Sequence, residues 1–198
     1  MSRGFKSVLL FVAFAAIVVL SRHALHTSST ANSTTTAASA TSSIPATSTT
    51  LATTCQGNDF SGVFVQGEGA AGTITDSITL TKKTAGTCVV DGYPLITLQD
   101  NQGGLVKSTP IELSPSNQVI QFPDPLANKV PAALTVTQGT SVTFSFGYSD
   151  VQTGNTACPN VGSLSVQFAA GGSTVSVTPQ YALQPCNNAT LWISPFYS

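Results

Sequence analysis

The stretch SVTFSFGY, residues 141–148, decides how the chain is read. Val142, Phe144, Phe146 and Tyr148 fall on one side of an extended backbone, and Ser141, Thr143, Ser145 and Gly147 fall on the other. A period of two, with aromatic and β-branched residues on the apolar side, is the pattern of a strand with one face in a core. Outward from it, the same alternation appears in residues 73–81 (Ile74, Ile78, Leu80), 163–168 (Leu164, Val166, Phe168) and 173–178 (Val175, Val177). Weaker candidates are residues 62–66, 95–99, 105–109, 118–122, 133–137 and 191–194. Between them stand turn signals: Gly67-Glu68-Gly69, Thr84-Ala85-Gly86, Asp100-Asn101-Gln102-Gly103-Gly104, Gln138-Gly139 and Gly171-Gly172. No helical stripe interrupts the series. Many short strands at such spacing predict an all-β fold, an antiparallel β-sandwich of immunoglobulin-like general architecture. Residues 55–198 are enough to bury an adequate core.

Upstream the composition changes twice. Arg3 and Lys6 precede an apolar run, residues 8–20 (VLLFVAFAAIVVL), which reads as one hydrophobic helix serving export. Its 13 residues fall short of the roughly 17–25 of a full membrane span, which favours a signal peptide. No clean small-x-small cleavage pattern follows, which favours an uncleaved anchor with its cytoplasmic end first. Residues 1–26 are therefore a signal peptide or a signal-anchor, and both readings place the remainder outside the cytoplasm, secreted or tethered to the membrane by residues 8–20. Residues 27–54 are almost entirely Ser, Thr and Ala without charge. Such a segment buries too little apolar surface to offset its conformational entropy and reads as a disordered stalk. Residues 55–198 form the predicted β-domain.

Charged residues make up 8% of the chain, against about 25% in an average soluble protein. From Cys55 onward four lysines, Lys82, Lys83, Lys107 and Lys129, stand against all eight acids. A domain so poor in cations lacks the phosphate-neutralising surface that nucleic-acid binding requires. The expected partner is a cell-envelope protein or glycan, with no nucleic acid, and with membrane contact only through the N-terminal hydrophobic segment.

All four cysteines, Cys55, Cys88, Cys158 and Cys186, fall in the β-domain, and none forms a C-x-x-C pair. An even count in an exported chain argues for two disulfides, of which three pairings are possible. Pairing Cys55 with Cys88 and Cys158 with Cys186 is favoured, because each bridge closes a loop of about 30 residues and pins one end of the domain, contributing about 3–4 kcal/mol. The segment TCVVDGYPLITL, residues 87–98, then reads as a folding device. Asp91-Gly92 turns the chain after Cys88, Tyr93 packs back near the bridge, and Pro94 sets the exit into the next strand.

Cys55, the Gly69-Ala70-Ala71-Gly72 segment, the Cys88-x-x-x-Gly92-Tyr93-Pro94 motif, Cys158, and Cys186 followed by an apolar strand together resemble the DUF4232 family. The resemblance implies an exported β-domain of unknown function, found mostly in actinobacteria. Relatives anchored by lipid carry a cysteine directly after the signal peptide. Here the first cysteine is Cys55, preceded by Ala52-Thr53-Thr54, a poor lipobox, so lipidation is not expected.

The only histidines, His23 and His26, lie beside the signal segment, and Met1 is the only methionine. The domain therefore lacks the base of Ser-His-Asp or Cys-His catalysis and the commonest metal ligand, so no catalytic residue, cofactor or metal is assigned. A carboxylate pair serving a hydrolase would come from Asp59, Glu68, Asp76, Asp91, Asp100, Glu112, Asp124 and Asp150, most of which sit in or beside turns. Asp76 stands apart because it shares the apolar face of Ile74, Ile78 and Leu80, as a bulge residue, an edge-protecting charge or a site. Asp100-Asn101-Gln102-Gly103-Gly104 lacks the acid spacing of a calcium loop and reads as a hairpin turn. Asn32-Ser33-Thr34 and Asn188-Ala189-Thr190 are glycosylation sequons. Trp192, the only tryptophan, alternates with Leu191 and Ile193; it reads as sheet packing or, alternatively, as a carbohydrate-stacking platform. Asp76 and Trp192 are the two candidate ligand contacts. Together these features predict a non-enzymatic binding or structural module of the cell surface, with a carbohydrate-binding module or a small carboxylate-dependent envelope hydrolase as alternatives.

Overall fold

The computed structural model describes residues 52–116 and 129–198. The expected N-terminal helix, most of the stalk, the candidate strand at 118–122 and Asp124 lie outside the described residues. What is described is mostly β, in open sheets. The strands are β1 (Phe60–Ala70), β2 (Thr73–Lys82), β3 (Thr87–Val90), β4 (Leu95–Gln99), β5 (Leu105–Val106), β6 (Thr109–Glu112), β7 (Leu134–Thr137), β8 (Ser141–Ser149), β9 (Ser163–Gln167), β10 (Val175–Val177) and β11 (Thr190–Ile193). They form a five-stranded sheet ordered β1-β2-β8-β11-β6, a four-stranded sheet β10-β9-β4-β5 and a pair β3-β7.

β2 and β8 make the longest continuous antiparallel register, from Thr73↔Ser149 to Thr81↔Ser141. Because side chains alternate, this register stacks Ile78 on Phe144 and Leu80 on Val142 inside, and it aligns Thr79 with Thr143 and Ser77 with Ser145 outside. All four apolar residues of the quoted stretch are at most 1% exposed. They share one hydrophobic cluster with Leu98, Leu164 and Val166 of the four-stranded sheet and with Val90 and Val136 of the small pair. Full burial of each such side chain contributes about 1.5–3 kcal/mol, so this shared interior holds the three sheets together. Phe60 and Phe168 meet at 4.6 Å between ring centroids, and Phe168 stacks on Phe196 at 5.4 Å. Gly62 marks a close approach between layers: a Cβ there would come within 2.4 Å of Val177 Cγ2 and 3.1 Å of Leu80 Cδ2.

Both disulfides form with the favoured pairing, Cys55–Cys88 and Cys158–Cys186. The first is embedded in a backbone ladder: the Cys55 N–H donates to the Val89 carbonyl (3.0 Å) and the Val89 N–H to that of Thr53 (2.9 Å). Thr54 thereby enters the domain as a parallel bridge beside β3.

Three expectations are corrected. The five-stranded sheet is mixed, because β11 pairs antiparallel with β8 and parallel with β6. The candidate strand at 105–109 splits into β5 and β6, which belong to different sheets; Lys107-Ser108 carries the chain across, and Pro110, which has no donor, is tolerated because β6 is an edge strand. The run TCVVDGYPLITL also changes sheets, since β3 pairs with β7 and β4 with β9. Gly92 supports that change of direction with a left-handed backbone (φ 71°), and its carbonyl accepts from the Phe196 N–H. The Tyr93 hydroxyl donates to the Leu113 carbonyl at 2.7 Å, so the motif ties the crossing to the segment after β6. Burial, and then the nearby Glu112 charge, push that phenol's pKa up.

Candidate functional site

Asp76 is in the middle of β2, flanked on both sides by strands, and is 1% exposed. Its position in a paired strand removes the edge-protecting role. The bulge lies instead on the neighbouring strand: the β1–β2 register shifts between Val65 and Glu68. At that irregularity the Gly67 N–H leaves the ladder and donates to Asp76 Oδ1 at 3.0 Å. Gly67 is required there, because a Cβ would lie 1.8 Å from the Thr75 carbonyl oxygen. From the other side the Tyr181 hydroxyl reaches both carboxylate oxygens, at 2.6 and 2.5 Å. The Tyr181 ring is fixed edge-on against Phe64 (5.6 Å between centroids), and Phe64 in turn packs edge-on against Phe146.

The Tyr148 hydroxyl completes this corner. It is buried without a hydrogen-bond partner, although it lies close enough to the Tyr181 hydroxyl for the two to interact. Burial raises the Asp76 pKa; the bonds from Gly67 and Tyr181 oppose that rise without cancelling it. Burial likewise lifts Tyr148 to about 12, and Tyr181 is pushed further up by burial and by its bond to Asp76. A carboxylate that accepts three donated contacts and lies under a tyrosine is placed to hold β1, β2 and the segment bearing Tyr181 together.

The other candidate carboxylates are dispersed. Asp59 lies 4.0 Å from the Lys82 ammonium. Asp100 accepts from the Gln102 and Gly104 N–H groups at 2.8 and 2.7 Å, which builds the β4–β5 hairpin turn. Glu68, Asp91, Glu112 and Asp150 are exposed. Among the described residues no group of three or more His, Cys, Asp and Glu side chains is placed to hold a metal ion.

Trp192 lies on the outer face of the five-stranded sheet, opposite Gly147 on β8 and Ile111 on β6, and is half-buried. Beside it the Tyr197 hydroxyl is bonded to Ser145 Oγ (2.9 Å), and the Lys129 ammonium sits 5.0 Å above the Tyr197 ring. Neither aromatic side chain is presented as a bare platform. The same outer face carries two registered rows of hydroxyls, Thr73, Thr75, Ser77, Thr79 and Thr81 on β2 and Ser141, Thr143, Ser145 and Ser149 on β8. Thr79 bonds Thr143 at 3.1 Å and Thr81 bonds Ser141 at 2.8 Å.

The second disulfide holds a different kind of corner. Directly after Cys186, Asn187, Asn188 and Ala189 have positive φ (58°, 62° and 47°). Asn187 Oδ1 accepts from the Thr153 N–H (2.9 Å) and the Thr153 hydroxyl (2.6 Å), so its side chain ties down the loop after β8. The sequon residue Asn188 is exposed and lines an open groove of about 330 Å³ with Lys107 and Thr109.

Sequence reasoning singled out Asp76 but not Tyr181 or Asn187, and it read Gly67-Glu68-Gly69 as a turn between strands. The structure places those three residues inside β1, where Gly67 marks the bulge. Tyr181 gave no signal, since its segment follows no period.

The model of the family described as a domain of unknown function, DUF4232, matches residues 55–197. No curated protein and no solved structure matches the chain.

Proposed function

The chain belongs to the DUF4232 family, and from that premise we propose that it is an extracytoplasmic, non-enzymatic binding module, of immunoglobulin-like sandwich architecture, held out from the cell surface on the stalk of residues 27–54. The observation that carries this reading is the pair of disulfides, which join separations of 33 and 28 residues within one core. Such bridges persist in an oxidising compartment. The geometry of Asp76 supports the non-enzymatic half: it is 1% exposed and both its oxygens are in contact with donors of the fold itself, so no reactant reaches it from solvent.

The surface we assign to binding is the hydroxyl face of β2 and β8. It bears no charged side chain in either row, and the exposed Val63 and Val65 border it on β1. An uncharged surface of donors and acceptors with an apolar rim suits a neutral glycan chain or a polar protein face. The test is capture from cell-envelope extract by the oxidised full-length chain, with a glycan array alongside, comparing wild type with Ser77→Lys and with Ser165→Lys on β9. A partner held by wild type and Ser165→Lys but released by Ser77→Lys is expected. A partner indifferent to Ser77→Lys removes the assigned face, and turnover of an envelope polymer by wild type removes the non-enzymatic reading.

A further inference from the structure

The corner around Asp76 brings together a buried carboxyl group, two buried or half-buried phenols and, among the described residues, no cation. The groups facing it are the Gly67 N–H and the Phe64 ring from β1, Ile74 and Ile78 on β2 itself, Phe146 and Tyr148 from β8, and Tyr181 from the segment after β10. Asp150, directly after β8, adds a further negative charge that acts on Tyr148. An ionised Asp76 is thus a buried anion stabilised only by neutral donors, a costly arrangement beside an ion pair.

We propose that Asp76, Tyr181 and Tyr148 form a proton-binding latch that grips the bulge of β1 and the Tyr181 segment more tightly when Asp76 is protonated. With Asp76 ionised, the Tyr181 hydrogen points at the carboxylate, and the Tyr148 hydroxyl lies near the Tyr181 oxygen without a well-formed hydrogen bond. When the carboxyl takes up a proton, it donates that proton to the Tyr181 oxygen across the same short contact. The Tyr181 hydrogen is then free to swing to the Tyr148 oxygen. The reversal keeps the Gly67 bond and the shorter of the two Tyr181 contacts, gives up the Tyr181 bond to Oδ1, supplies a donor to the Tyr148 oxygen and removes the buried charge. Gly67 continues to donate to Oδ1, which serves as the acid's carbonyl oxygen.

The sign follows from linkage. A carboxyl that holds its proton more tightly in the fold than in the unfolded chain adds stability at pH values below its unfolded pKa of 3.8, and that stability is lost as pH rises from there through the folded pKa. The latch closes on acidification. No histidine lies between Cys55 and Ser198, so no imidazole of the domain adds a transition in the same range.

Thermal unfolding of the full-length chain between pH 7 and pH 4.5 tests this, with wild type, Asp76→Asn and Tyr148→Phe side by side. The expected result is a wild-type midpoint that climbs on acidification relative to Asp76→Asn, with Tyr148→Phe in between. Parallel profiles for wild type and Asp76→Asn overturn the proposal. If Asp76→Asn fails to fold, hydrogen exchange at the Gly67 amide of the wild type decides. Protection that grows on acidification beyond the intrinsic rate change supports the latch, and unchanged protection overturns it.

Discussion

Two ionisable side chains point into the molecule from the same face of the same strand, six residues apart, and their surroundings are opposite. Lys82, 3% exposed, ends β2 where the sheet meets solvent. Its ammonium bonds the Thr84 hydroxyl at 2.7 Å, lies 4.0 Å from the Asp59 carboxylate and sits 5.8 Å above the Phe60 ring. Asp76, 1% exposed, is bonded by the Tyr181 hydroxyl and the Gly67 N–H and, among the described residues, has no ion-pair partner. A long side chain on a strand end can bury its stem and keep its head near a counter-charge. A short carboxylate in mid-strand cannot move, so the chain came to it: Gly67 leaves its ladder and Tyr181 reaches across. The comparison teaches that inward charge on a strand has no single meaning. At Lys82 it anchors a strand end, whereas at Asp76 it organises a bulge and binds a proton.

The largest effect should come from Asp76→Ala, which removes the acceptor for Gly67 and Tyr181 together. Urea denaturation at pH 7 should show a loss of about 2–4 kcal/mol. A loss below that of an ordinary surface substitution would break the comparison at its stronger end. Next comes alkaline pH. Tyr148 has its pKa raised from 10.0 to about 12 by burial, so its contribution is complete below pH 10 and is lost as pH climbs through 12. Denaturant titrations across that window should lose stability more steeply in wild type than in Tyr148→Phe, whose remaining slope comes from Tyr181. Gly67→Ala follows, since its Cβ would collide with the Thr75 carbonyl; the expected cost is about 1–3 kcal/mol, with loss of the Asp76 contact in NMR spectra. The smallest effect belongs to Lys82→Met, which replaces a weakly paired cation by an apolar chain of similar length over Phe60. Stability should stay within about 1 kcal/mol of wild type, and a much larger loss would mean that the fold depends on the Lys82 charge as heavily as on the Asp76 carboxyl.

The residues that alternate without interruption were legible. Residues 141–148, 163–168 and 73–81 announce strands because each apolar position is bounded by residues that are not, and the cysteine spacing gave a pairing that the structure contains. The sheet assignment of those strands was not legible. Alternation states that a strand has an inner face without stating what lies beside it, so the β3–β4 sheet change and the parallel β11–β6 pairing were hidden. Asp76 was visible as an anomaly in a period of two. Its partners were not, because Tyr181 lies 105 residues away in an irregular segment and Gly67 acts through its backbone.

The hydroxyl rows show the same limit from the functional side. Each serine or threonine of β2 and β8 reads singly as an ordinary solvent-facing residue. The register Thr73↔Ser149 to Thr81↔Ser141 aligns them in uncharged, mostly half-buried rows, in which Ser145 is buried.

The most direct test of this account is the titration of the Asp76 carboxyl carbon, followed by NMR in the full-length oxidised chain labelled at aspartate and assigned with Asp76→Asn. The account predicts a midpoint above 3.8, moving together with the ring resonances of Tyr148 and Tyr181. A midpoint at or below 3.8, with both tyrosines indifferent to it, would contradict it.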